Sequence, residues 1–106
     1  MISATVIGNV GKDPEVREGT RGSYTKFSIG SSQGRDKPTT WVNCTAFGKL
    51  GETAAKYLGK GKQVAICGRM ELRKYEKDGA ERQSLDCVVT ELKLLGKRDH
   101  DDDINF

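Results

Sequence analysis

Apolar and polar residues alternate with period two along most of the chain, the pattern of strands with one buried face. Ile2, Ala4, Val6 and Val10 alternate with Ser3, Thr5 and Asn9, which predicts a first strand with Gly8 as a bulge or bend. Residues 11–14 turn the chain, residues 15–17 predict a brief strand, and residues 24–29 a second strand with Phe27 and Ile29 on one face. A polar loop with Gly34 and Pro38 spans residues 30–40. Residues 40–47, rich in β-branched and aromatic side chains, read as the third strand. One stretch has helical spacing: Leu50, Ala54, Tyr57 and Leu58 fall at i, i+4, i+7 and i+8, with Gly59 as the stop. Residues 63–75 predict a fourth strand with Val64, Ile66, Met70 and Leu72 on one face and Gly68 in phase with them, where a curled strand bends. Lys77, Asp78 and Gly79 make a hairpin turn, and residues 84–95 the fifth strand.

The order β-β-β-α-β-β in 106 residues, room for one domain, predicts an all-β fold with one helix. It is the pattern of a five-stranded Greek-key barrel of the OB type, with its helix between strands three and four; small SH3-like barrels share the alternation. The expected division is a barrel over residues 1–96 and a short acidic tail over residues 97–106.

Face arithmetic on the two longest strands carries the functional signal. Val42, Cys44 and Ala46 are small and apolar and suit the barrel interior, so Trp41, Asn43, Thr45 and Phe47 face outward. The two aromatics, six residues apart, stand about 20 Å from each other, room for several nucleotides. On the fourth strand Arg69, Arg73 and Tyr75 share the outward face. Outward aromatics also suit a subunit interface or a protein-binding surface. The basic residues beside them shift the balance to nucleic acid, because rings stack on bases while Lys and Arg track phosphates.

Charge supports that choice. Four carboxylates, Asp99, Asp101, Asp102 and Asp103, sit in the last eight residues, so residues 1–98 hold eighteen basic against eleven acidic groups, or +7. Only 35% of residues are hydrophobic, and no apolar run is long enough to span a bilayer or form a signal-peptide core. A soluble, cytoplasmic chain with no membrane association is expected. Cys44, Cys67 and Cys87 lie in apolar runs without a C-x-x-C, and His100 is far from all three, so they read as packing residues and no metal site is expected. The sole histidine forms no Ser-His-Asp or Cys-His set, and neither G-x-x-x-x-G-K-[ST] nor G-x-G-x-x-G occurs. The residues point to a binding protein without cofactor or catalytic group.

Several motifs in order resemble the bacterial single-stranded DNA-binding protein family. They are Asp13-Pro14-Glu15-Val16-Arg17, Trp41-x-x-Cys44-x-Ala46-Phe47-Gly48-Lys49-Leu50, Ala55-x-Tyr57-Leu58-x-Lys60-Gly61, Gly68-Arg69, and the ending Asp101-Asp102-Asp103-Ile104-Asn105-Phe106. The resemblance implies sequence-independent binding of single-stranded DNA in replication, recombination and repair. It implies base stacking on Trp41, Phe47 and Tyr75, the last where family members carry tryptophan. It implies phosphate contacts from Lys49, Lys60, Arg73 and Lys74, to which the face arithmetic adds Arg69. A further stacking tryptophan, expected near Gln33, is absent from the sequence.

The resemblance also implies a homotetramer paired through the first strands, although the residues alone leave dimer and tetramer open. At the tail, Asp101, Asp102, Asp103, Ile104, Asn105 and Phe106 would dock replication and repair proteins, with Asn105 where the family has proline. The long linker usual before that tip is missing, which suits a compact phage, plasmid or otherwise divergent form. Two other readings share the barrel: a primosome-type accessory protein, and a domain whose aromatic face binds protein.

Overall fold

The computed structural model describes residues 1–32 and 34–95. Within them the elements are β1 (Ile2–Val10), β2 (Glu15–Gly19), β3 (Gly22–Ser31), β4 (Thr40–Phe47), α1 (Gly48–Tyr57), β5 (Gln63–Lys77) and β6 (Ala80–Leu94). β1 runs antiparallel to β5, β5 to β6 and β4 to β3, while β6 runs parallel to β4. The circuit closes where Asn9 and Val10 of β1 meet Gly30 and Ile29 of β3. That is the five-stranded OB barrel expected, with α1 following its third barrel strand. β2 lies outside the circuit, hairpinned onto β3, and runs two residues past the brief strand read from the sequence.

Period-two alternation builds the core. Val6 and Val10, Phe27 and Ile29, Val42, Cys44 and Ala46, Val64 and Ile66 all point inward and are buried. Each fully buried Val, Leu or Ile contributes about 1.5–3 kcal/mol relative to exposure. Ala54 of α1 and Leu58, the residue that follows the helix, pack into the core from the helix side. The helix comes close because it presents Gly51, whose carbonyl accepts a 2.7 Å hydrogen bond from the buried Thr25 hydroxyl of β3.

Three details differ from the sequence reading. Gly8 is not a bulge: β1 pairs with β5 without interruption from Ile2 to Asn9. Its missing side chain instead makes room for the Gly30 backbone at the closure, since a β-carbon there would collide with the Gly30 carbonyl. The bulge lies on β6, where Cys67 pairs with Glu91 but Gly68 with Val89, leaving Thr90 over. This extra residue switches the phase, so that Cys87 and Val89 on one side of it and Leu92 on the other are all buried.

The third difference concerns strand ends. Ile2 and Leu72, read as core-facing, are exposed. Ile2 begins β1 at the open rim, and Leu72 lies where β5 and β6 leave the barrel as a two-stranded arm. All residues from 71 to 83 are exposed. Asp78 and Gly79, with φ of 54° and 77°, form the two-residue tip, a turn whose twist matches the strands on either side.

Cys44 and Cys87 are buried as expected, and burial pushes both thiols up from their ordinary range. Cys67 is partly buried, its sulfur 3.3 Å from the Thr5 hydroxyl. Among the described residues no helix is long and apolar enough to cross a membrane. The acidic tail, including Asp101, Asp102, Asp103, Ile104, Asn105 and Phe106, lies outside the described residues, as does Gln33.

Candidate nucleic-acid interface

β4 buries Val42, Cys44 and Ala46 and turns Trp41, Asn43, Thr45 and Phe47 outward, as alternation requires. Trp41 is 53% exposed and Phe47 55%, high values for large rings. They stand at the two ends of the strand with the polar Asn43 and Thr45 between them. Tyr24 of β3, the register partner of Phe47, adds a second ring at 5.8 Å between centroids. Sequence reasoning missed Tyr24, although its parity on β3, opposite to Phe27 and Ile29, places it on the outer surface.

β5 supplies the other half. Arg69, Glu71, Arg73 and Tyr75 alternate onto one face, with the Arg73 guanidinium carbon 5.2 Å from the centroid of the Tyr75 ring. Such a contact between cation and ring stiffens both side chains. Arg73 Nε also donates a 2.9 Å hydrogen bond to Asp86 of β6. The same carboxylate accepts from the Ser84 hydroxyl at 2.7 Å and from Asn43 Nδ2 at 3.4 Å, and Asn43 Nδ2 donates to Ser84 Oγ at 2.9 Å. Partial burial works against ionisation of Asp86. The bonds from Ser84, Arg73 and Asn43 outweigh it and hold the carboxyl below its usual range.

Asn43, Thr45, Arg69, Glu71, Arg73 and Asp86 line an open groove of about 900 Å³ over the strands, whereas Trp41, Phe47, Tyr24 and Tyr75 lie outside its lining. Lys12, Arg17, Lys26, Arg69 and Arg73 reach it, but so do Asp13, Glu15, Glu71 and Asp86. Two of the cations are already paired, Arg73 with Asp86 and Arg17 with Glu15 at 3.0 Å. Arg17 draws the fully exposed Glu15 carboxyl below its usual range by hydrogen bond and charge. The groove is therefore close to neutral, despite the basic excess of the whole barrel.

The expected site residues separate into two groups. Trp41, Phe47, Tyr75, Arg69 and Arg73 lie on the outward faces of β4 and β5. Lys49 is exposed in the first turn of α1, two residues beyond Phe47. Lys60 follows α1 in a loop, where its backbone N–H donates a 3.0 Å bond to Asp13. Lys74 alternates to the opposite face of the arm from Arg73 and Tyr75. The sequence does not single out Asn43, Ser84, Asp86, Arg17 or Lys26 as site residues.

A closed OB barrel with half-exposed rings and guanidiniums on its strand face is of the class that binds oligomeric ligands across its strands rather than inside. Comparison with known proteins narrows this. The chain belongs to the Single-strand binding protein family, whose model matches residues 1–95. It is 42% identical to a single-stranded DNA-binding protein of Neisseria meningitidis serogroup A, over 88% of this chain and 59% of that protein. A single-stranded DNA-binding protein 1 of Chlorobaculum tepidum is 35% identical, over 89% of this chain and 64% of its own length. This chain thus spans less than two thirds of these relatives. The fold is similar to the crystal structure of a small single-stranded DNA-binding protein from Streptomyces coelicolor. The TM-score is 0.78 at 23% identity, covering 88% of this chain and 93% of that one.

Proposed function

We propose that this protein binds single-stranded DNA without sequence preference by stacking bases on Trp41, Phe47 and Tyr75. The observation that carries this is the set of three large rings left 38% to 55% exposed on the outward faces of β4 and β5, beside Arg69 and Arg73. Rings accept any base, and guanidiniums accept the phosphates between them. Lys49, Lys60 and Lys74 extend the basic path beyond the groove, Lys74 from the far face of the arm. The names of the relatives point the same way.

The protein serves replication, recombination and repair in the cytoplasm, on exposed strands at the nucleoid, as a homotetramer. The tail residues Asp101, Asp102, Asp103, Ile104, Asn105 and Phe106 dock partner proteins: an acidic run before an apolar end suits a basic-rimmed hydrophobic pocket. Self-association is supported by β1. Among the described residues, Ile2 to Gly8 pair only with β5, so the other edge of β1 offers open backbone groups to a second copy.

Fluorescence titration with oligo-dT at two salt concentrations tests the binding reading. Trp41 is the sole tryptophan, so its emission reports the site directly. Trp41→Ala and Phe47→Ala should each weaken binding by about 1–3 kcal/mol. Duplex should compete poorly, because its bases present no free faces. Parental affinity in both variants would reject the path. The same titration after deleting residues 101–106 should give equal or higher DNA affinity while pull-down of partner proteins is lost; retained partners would exclude the tail as docking peptide.

A further inference from the structure

Trp41 is held in an unusual seat. Its register partner on β3 is Gly30, and the loop after β1 brings Gly11 to the same spot through the Gly11 N–H to Ser28 carbonyl bond of 3.0 Å. A β-carbon at Gly11 would stand 2.5 Å from Trp41 Cζ3 and 3.0 Å from Cη2. One at Gly30 would stand 2.9 Å from Cη2 and 3.0 Å from Cζ3. The benzene end of the indole thus occupies the space that two side chains would fill. Neither glycine has a positive φ, so the backbone does not demand glycine at either place. What stands nearest at both places is the ring, joined at Gly30 by Thr39 Cγ2 at 3.0 Å.

We infer that Gly11 and Gly30 are positioning residues for the base-stacking surface of Trp41. Together they form a notch that fixes the benzene end of the ring and leaves just over half of the side chain open to a nucleobase. This deepens the stacking reading above and rests on it. An exposed tryptophan without a notch samples several rotamers, and a base that stacks on it must first select one. Immobilising one such side chain on binding costs about 2- to 10-fold in affinity. The notch removes that cost in advance. Gly8 and Gly68 differ in kind: there the missing β-carbon faces a backbone carbonyl, which cannot step aside.

The test is a cycle on the full chain: Gly30→Ala, Gly11→Ala, Trp41→Ala and Gly30→Ala with Trp41→Ala, read by oligo-dT affinity, indole quenching and thermal midpoint. Gly30→Ala should weaken oligo-dT binding about 2- to 10-fold and change the quenching amplitude, with the midpoint little altered. In the Trp41→Ala background it should have no further effect, because it acts through the ring. If Gly30→Ala lowers the midpoint strongly, Gly11→Ala serves instead, since its added methyl meets the ring first, at 2.5 Å, and the Ser28 hydroxyl next. Parental affinity in both glycine variants, with Trp41→Ala still weakened, overturns the notch and leaves stacking intact. An equal loss from Gly30→Ala with and without Trp41 also overturns it. Parental affinity in Trp41→Ala removes the stacking reading and the notch together.

Discussion

Asp86 places a carboxylate in the middle of the surface that the proposed function would use to attract phosphates. In the free protein it occupies Arg73, so on the proposed path a bound strand would exchange a carboxylate for a phosphate at that guanidinium. Removing the charge while keeping the shape should reverse the effect. Asp86→Asn is expected to bind oligo-dT more tightly and to steepen the slope of log K against log salt by about 0.7, one phosphate more on a single strand. An unchanged slope would show that Arg73 does not reach the backbone of the strand. The sign of the pH effect follows from the depressed carboxyl. The pair stands at neutral pH, and its small stabilisation, about 0–1 kcal/mol for so exposed a pair, is lost as pH falls below ~4. Trp41, Phe47 and Tyr75 are legible in the sequence because alternation along one strand fixes which way a ring points. Asp86 is not, because its meeting with Arg73 depends on the register between β5 and β6.

At the scale of elements, the barrel is set by close approaches that only glycine permits. Gly68 lies against the Val88 backbone opposite the β6 bulge, so Gly68→Ala should cost about 1–3 kcal/mol, read as a lower denaturant midpoint. A parental midpoint would mean that the strands separate freely there. The glycines of β1 and β5 both stand out in the sequence, and both read as bends there. A glycine within an alternating run signals a bend or a close neighbour equally. Which one holds is decided by a strand far away in sequence, Gly30 for Gly8 and Val88 for Gly68. The helix and all five barrel strands are legible because each buries one face of a short periodic stretch. The length of the arm is not, since its alternation continues past the point where there is a core to bury against.

For the whole molecule, the open edge of β1 and the near-neutral groove point in one direction. The groove of a single barrel is nearly balanced in charge, so under the proposed function a long strand would gain by crossing several barrels in turn. Light scattering at micromolar concentration should report a homotetramer, and a monomer would remove the assembly from the reading. Thr5→Lys puts a charge on the outer face of β1 beside Cys67, and should shift the population towards smaller species while oligo-dT still quenches Trp41. Quenching that vanishes with the assembly would mean that the site is completed between copies.

The arm of β5 and β6 gives the protein two halves with different lifetimes. Trp41 and Phe47 are rooted in a barrel strand paired on both sides, whose amides should open only with the core. Tyr75 and Arg73 ride on a two-stranded ribbon with no apolar layer beneath it, and such ribbons are marginal by themselves. Amide hydrogens from 71 to 83 should therefore exchange orders of magnitude faster than those of Val64 to Ile66, by local opening rather than global unfolding. Adding oligo-dT should slow the ribbon and leave the barrel unchanged. A ribbon as well protected as the barrel without DNA would contradict this. On a long strand, the ribbon would then release and recapture its base many times during one residence of the barrel, so that contact is lost and regained piecewise and a neighbouring protein finds short stretches of strand already free.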